Sequence, residues 1–162
     1  MEWSDLFPFL LFLHVLGAIV AFGPTFAFRF IGAMGGKEPQ HANFGVRVSE
    51  MLSHRLVYPI GITMPITGGA MILVRGYNPL DRPFWWLGLA IVLYAIAYGY
   101  SYFFQSKLVA QVIEMTSAPP PPGASGPPPQ LLALVKRIGN GGKVTTVLLV
   151  TIIFLMVVKP TV

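Results

Sequence analysis

Four apolar stretches of the chain carry no Asp, Glu, Lys or Arg: Leu6–Phe28, Leu56–Val74, Pro83–Ser106 and Val144–Val158, of 23, 19, 24 and 15 residues. A bilayer core of about 30 Å takes about 20 helical residues, so the first three are long enough to cross it. The fourth is short, but Lys143 and Lys159 bracket it and can snorkel to the two interfaces. The pattern predicts an all-α, four-helix transmembrane bundle forming one membrane domain over 1–162, with spans near 6–30, 56–75, 83–106 and 143–159.

Between the spans the pattern is amphipathic. Phe44, Val48, Met51 and Leu52 recur at helical spacing, with Arg47, Ser49 and Glu50 opposite, which predicts a short interfacial helix running into the second span. That span holds Pro59, Pro65, Gly61, Gly68 and Gly69 and is expected to be irregular, with close neighbours. Gly23-Pro24 predicts a kink in the first span. The third span is expected to run on as helix through Lys107–Met115. The segment APPPPGASGPPP (Ala118–Pro129) reads as an extended spacer. Gln130–Lys143 reads as a second short amphipathic helix that ends at a Gly-rich turn. RGYNPLDRP is a turn, and Trp85 and Trp86 after it are interfacial anchors.

Composition adds orientation. Charged residues make up 10% of the chain and hydrophobic ones 54%, against about 25% charged in an ordinary soluble domain. Eight of the eleven basic residues fall in loop 1–2 and before the fourth span: Arg29, Lys37, Arg47, Arg55, Lys107, Lys136, Arg137 and Lys143. Arg75, Arg82 and Lys159 lie at the other end. The positive-inside rule then predicts both termini outside and the larger loops cytoplasmic, as in a multi-pass protein of the inner (plasma) membrane. The net charge of +5 points to anionic lipid head groups. It does not point to nucleic acid, since no dense basic run is interleaved with aromatics. The first span follows Glu2 and Asp5, with no basic residue ahead of it, and is expected to be retained rather than cleaved. With no cysteine, thiolate catalysis, disulfides and iron–sulfur clusters are excluded.

His14 is the one residue in the first run able to ligate a metal through nitrogen. Gly17, Ala18, Ala21 and Thr25 share its helical face. An imidazole beside small residues is what a b-type haem needs, an iron ligand and room for a flat ring. The same face also describes close helix packing, with His14 bonded to a neighbour's hydroxyl or carbonyl. At about 1.5 Å per residue, His14 lies roughly 12 Å below the outer edge. Met64 falls within about one turn of that level and Met71 one to two turns further out, so either is a candidate second axial ligand, and a five-coordinate iron is the alternative. His54 lies too deep to share an iron with His14, or a copper with Met64. Glu50, His54, His41 and Met51 form a weaker candidate metal group at the surface. Tyr94, Tyr98 and Tyr102 make a stripe on the third span, either a relay face or an aromatic face stacked on the second span. All six acids lie in loops or end regions, which argues against a carboxylate-driven proton transporter. GNGGKVT lacks the spacing of a phosphate loop.

LHVLGAIVAFG, RLVYPIGITMPITGGAMIL, NPLDRPFWWLG and the closing FLMVVKP together resemble a family of predicted four-helix bacterial inner-membrane proteins of unknown function. That resemblance implies fold and location, and no activity. His14, Gly17 and Ala18 also resemble the LHxLGA-type first helix of the copper-resistance D proteins and of the membrane-bound protoporphyrinogen oxidases. The latter bind haem through a helix-1 histidine. Where such helices often carry a tryptophan, this chain has Ala21 or Phe22. Two readings stand from this point: a haem-binding redox membrane protein using His14, or a non-catalytic subunit that packs with other membrane proteins or with itself.

Overall fold

Proline and glycine set where the helices begin and end. In the computed structural model, which describes residues 3–118 and 126–160, Pro8 sits in the first turn of α1 (Phe7–Lys37) and Pro129 opens α6 (Pro129–Val158). Pro83 lies in the single turn leading into α4 (Trp85–Tyr100). Proline costs nothing there, because the first N–H groups of a helix have no intrahelical partner. At the other end, α3 (Tyr58–Arg75) stops at Gly76, whose φ of 65° suits glycine. The Tyr77 N–H then bonds the Ile72 carbonyl (3.1 Å) and the Gly76 N–H that of Leu73 (3.3 Å), the paired closure of a glycine-capped helix. The Asn78 amide donates to Asp81 (2.9 Å) and holds the short turn to α4.

Two widened turns join helices end to end. Pro59 has no N–H for the Arg55 carbonyl, and here the chain takes up an extra residue. Ser53–Val57 is a π-turn in which the Tyr58 N–H reaches the Ser53 carbonyl. It fuses α2 (Ala42–Leu52) to α3. A second π-turn, Ser101–Gln105, fuses α4 to α5 (Ser106–Ser117). The four resulting helices have 31, 37, 36 and 30 residues, and each is long and apolar enough to cross a membrane. At about 1.5 Å per residue they are about 45–55 Å long, against a hydrocarbon core of about 30 Å. The excess lies at the basic end, where all the charges within these helices gather apart from Arg75 and Arg82 beside the short turn.

The amphipathic stretch from Phe44 is helical and runs into the second span, as expected, and it packs on α1 and α5. The Asn43 amide fixes that packing, donating to the Thr116 hydroxyl (2.9 Å) and the Ile113 carbonyl (3.3 Å). One sequence expectation changes. The Gly-rich turn expected before the fourth span is absent: α6 runs unbroken through Gly139–Gly142. Gly141 is buried there, and a side chain on it would meet the Tyr100 hydroxyl and the Gln105 amide. The glycine serves close helix approach and not a reversal. Of the proline-rich spacer, residues 119–125 lie outside the described residues.

The helices alternate in direction. α1 packs chiefly on α3 and α4 on α6, while α1–α6 and α3–α4 contacts close the ring. The common core is Ala21, Phe22, Met64, Trp86, Leu87, Ala90, Leu149, Ile152 and Leu155. The outward faces remain apolar, with Phe9, Ile19, Ile66, Leu73, Val92 and Phe154 among many exposed side chains. In water such a surface would aggregate; in lipid it is the expected solvent-facing side.

Candidate functional site

His14 points from α1 toward α3. Its Nδ1 is 2.7 Å from the Thr67 hydroxyl, and its ring rests on the backbone of Gly68, where an added Cβ would lie 3.3 Å from Cε1. Thr67 is itself anchored: its hydroxyl lies 2.9 Å from the Thr63 carbonyl and 3.2 Å from that of Met64. Polar atoms in a membrane interior need partners, and this accounts for one ring nitrogen. Among the described residues none bonds Nε2. The enclosed side-chain polar atom without a partner, among the described residues, is Oε1 of Gln105, so Nε2 reaches the surface of the bundle.

The small residues beyond His14 are spent on packing. Met64 is buried with its sulfur against Gly17, 3.1 Å from where an added Cβ would stand. Ala21 is wholly buried, Ala18 packs against the core, and Thr25 bonds back to the Phe22 carbonyl (2.6 Å). α3 and the core therefore cover the face whose small residues suggest room for a porphyrin. Met64 stands three residues before Thr67 and Met71 four after it, about one turn to either side. His14 thus lies between the levels of the two methionines.

The tyrosine stripe forms a ladder against α3. Tyr94 stacks on Tyr98 (6.0 Å between centroids) and Tyr98 on Tyr102 (6.2 Å), while Tyr58 meets Tyr98 and Tyr102 edge-on. Three of the hydroxyls donate to carbonyls: Tyr94 to Gly61 (2.6 Å), Tyr98 to Tyr58 (3.0 Å) and Tyr58 to Ser101 (3.1 Å). The first of these has a definite cause. Pro65 cannot supply the N–H that the Gly61 carbonyl would receive four residues on, so Tyr94 supplies a proton from the neighbouring helix. A relay tyrosine must hand its proton to a base when oxidised, and a carbonyl is not one. The ladder packs as an aromatic face on the second span, and the Tyr94 hydroxyl meets the carbonyl that Pro65 leaves without its helical donor.

The family model for a predicted integral membrane protein, DUF2269, matches residues 8–160. The chain belongs to the DUF2269 family. No curated protein and no solved structure matches it. The chain is accordingly an integral membrane protein with four spanning helices.

In this DUF2269 chain, His54 packs edge-on against Tyr58 (5.2 Å) rather than with other ligands. Among the described residues no three His, Cys, Asp or Glu side chains gather as a metal group. Thr67 and Gly68, which hold His14, are absent from the sequence-derived candidates. A signal for Thr67 existed: it lies 11 residues beyond Leu56, roughly 17 Å above the inner edge. His14 stands at about that depth, roughly 18 Å above the same edge.

Proposed function

We propose that the chain is a b-type haem-binding redox protein of the bacterial inner membrane, with Nε2 of His14 as axial ligand. The observation that carries this reading is the half-satisfied imidazole. One nitrogen is pinned by Thr67, and the other is left open at bilayer depth, where an unpaired polar atom is costly and a functional role is the default. A neutral imidazole nitrogen is a suitable donor to haem iron. The donor fits, whereas the packed Gly17–Ala18–Ala21 face does not offer the ring a place. The haem would therefore be held by His14 from the open side of α1 and not between α1 and α3. Bound there, haem would supply one-electron chemistry; the protein supplies the ligand and an apolar, water-poor setting. Met64 is already engaged on Gly17, and a haem outside the α1–α3 interface would be held by His14 alone, as a five-coordinate iron. Eight basic residues at one end against three at the other support termini outside and loops in the cytoplasm.

The test is optical. The chain purified in mild detergent from a haem-supplied host should show a Soret band and a dithionite-reduced b-type spectrum, and His14→Ala should lose both. A colourless wild-type protein overturns the haem reading. It would favour the other one, a non-catalytic subunit in a larger complex or homo-oligomer, whose partners would co-purify with the chain.

A further inference from the structure

The Thr67 hydroxyl has one proton and three nearby acceptors. It lies 2.7 Å from Nδ1 of His14, 2.9 Å from the Thr63 carbonyl and 3.2 Å from the Met64 carbonyl. Two proton arrangements exist. In one, the hydroxyl donates to its own helix, the usual habit of threonine in a helix, and Nδ1–H donates to the hydroxyl oxygen. In the other, the hydroxyl donates to Nδ1, the carbonyl contacts lapse, and the imidazole proton moves to Nε2. The first makes two hydrogen bonds and leaves a bare lone pair at Nε2. The second makes one and leaves an unpartnered N–H in an apolar setting, which is the costlier orphan.

We infer that Thr67 is a positioning residue that fixes His14 as the Nδ1–H tautomer and so makes Nε2 the ligating nitrogen. Gly68 supports it sterically. The ring lies against the Gly68 backbone, with an added Cβ 3.3 Å from Cε1 and 3.8 Å from Nδ1, which limits how the imidazole can turn away from the hydroxyl. The hydroxyl thus sets the proton and the glycine sets the plane. What Nε2 binds rests on the haem reading; the tautomer does not.

The deciding experiment is ¹⁵N NMR of histidine-labelled chain in lipid nanodiscs, with the His14 signals assigned by their loss in His14→Ala. The wild type should show Nδ1 protonated and Nε2 bare, Thr67→Ser should keep that pattern, and Thr67→Val should shift population toward Nε2–H. A wild-type spectrum dominated by Nε2–H, or a folded Thr67→Val with the wild-type pattern, overturns the inference. Should the valine variant fail to fold, the wild-type spectrum alone decides the tautomer. In haem titrations Thr67→Val should bind about 10-fold more weakly than wild type, and Thr67→Ser should bind equally. If the wild type binds no haem yet shows the Nδ1–H tautomer, the haem reading fails and the role of Thr67 stands.

Discussion

Replacing Gly61 with leucine should destabilise the bundle by about 3 kcal/mol, measured by reversible unfolding in mixed micelles. A Cβ at this position would stand 2.7 Å from Cε2 of Tyr98 and 3.3 Å from the Tyr94 hydroxyl. Neither neighbour has room to yield. Tyr98 is stacked between Tyr94 and Tyr102 and meets Tyr58 edge-on, and the Tyr94 hydroxyl is bonded to the very residue being replaced. Overpacking of this kind costs about 1–3 kcal/mol, and losing the bond adds about 1. Alanine gains up to about 1 kcal/mol in helix propensity over glycine, so Gly61→Ala should fall short of the leucine effect, at about 1 kcal/mol net. Tyr98→Ala in the same chain should relieve much of it. Gly69→Ala is the control, because nothing lies within 4 Å of its added Cβ. A Gly61→Leu protein as stable as wild type would mean that α3 and α4 do not meet there.

Tyr94→Phe should cost about 1–3 kcal/mol, and Pro65→Ala in the same chain should remove most of that cost. Phenylalanine keeps the ring and its stacking and deletes the one donor that reaches the Gly61 carbonyl. With Pro65 present the helix has no N–H of its own to offer, and lipid offers none. With alanine at 65 the missing backbone N–H returns, and the tyrosine becomes redundant. The cycle therefore separates this bond from an ordinary interhelical hydrogen bond in a membrane, which averages only about 0.6 kcal/mol. Equal costs in the two backgrounds would show that Tyr94 does not act through the proline.

Spans and ladder differ in how legible they were in the sequence. Segregation of charge located the spans because it reports one dimension, position along the membrane normal. Of the extra length at the basic end, the stretches from Phe44 into the second span and through Lys107–Met115 were legible as helix from their amphipathic spacing, whereas the unbroken passage of α6 through its glycines was not. Gly139–Gly142 read as a turn because glycine supports either a turn or a close helix crossing; only the position of Tyr100 and Gln105 on the next helix decides between them. The His14–Thr67 pair is within reach of depth arithmetic, which sets both side chains at about the same level, but a threonine in an apolar run gives no other sign of its partner. The covering of Gly17 by Met64 was out of reach, because it depends on how α3 is rotated about its axis, and periodicity alone does not fix that.

The Gly61 carbonyl also bears on how the protein is made. Until α4 is in place, α3 would sit in the bilayer with the Gly61 carbonyl lacking both the N–H that position 65 ordinarily supplies and the Tyr94 hydroxyl. The proton comes from a helix that begins only nine residues after α3 ends, at Gly76–Phe84. Membrane entry of the second span is thereby tied to the third, and the two should leave the translocon as a helical hairpin. Site-specific crosslinking of stalled nascent chains should find α3 retained beside the translocon until Tyr94 has emerged, and released earlier in Pro65→Ala. With that result, a proline that looks like a flaw in one helix would be a timing element in biogenesis.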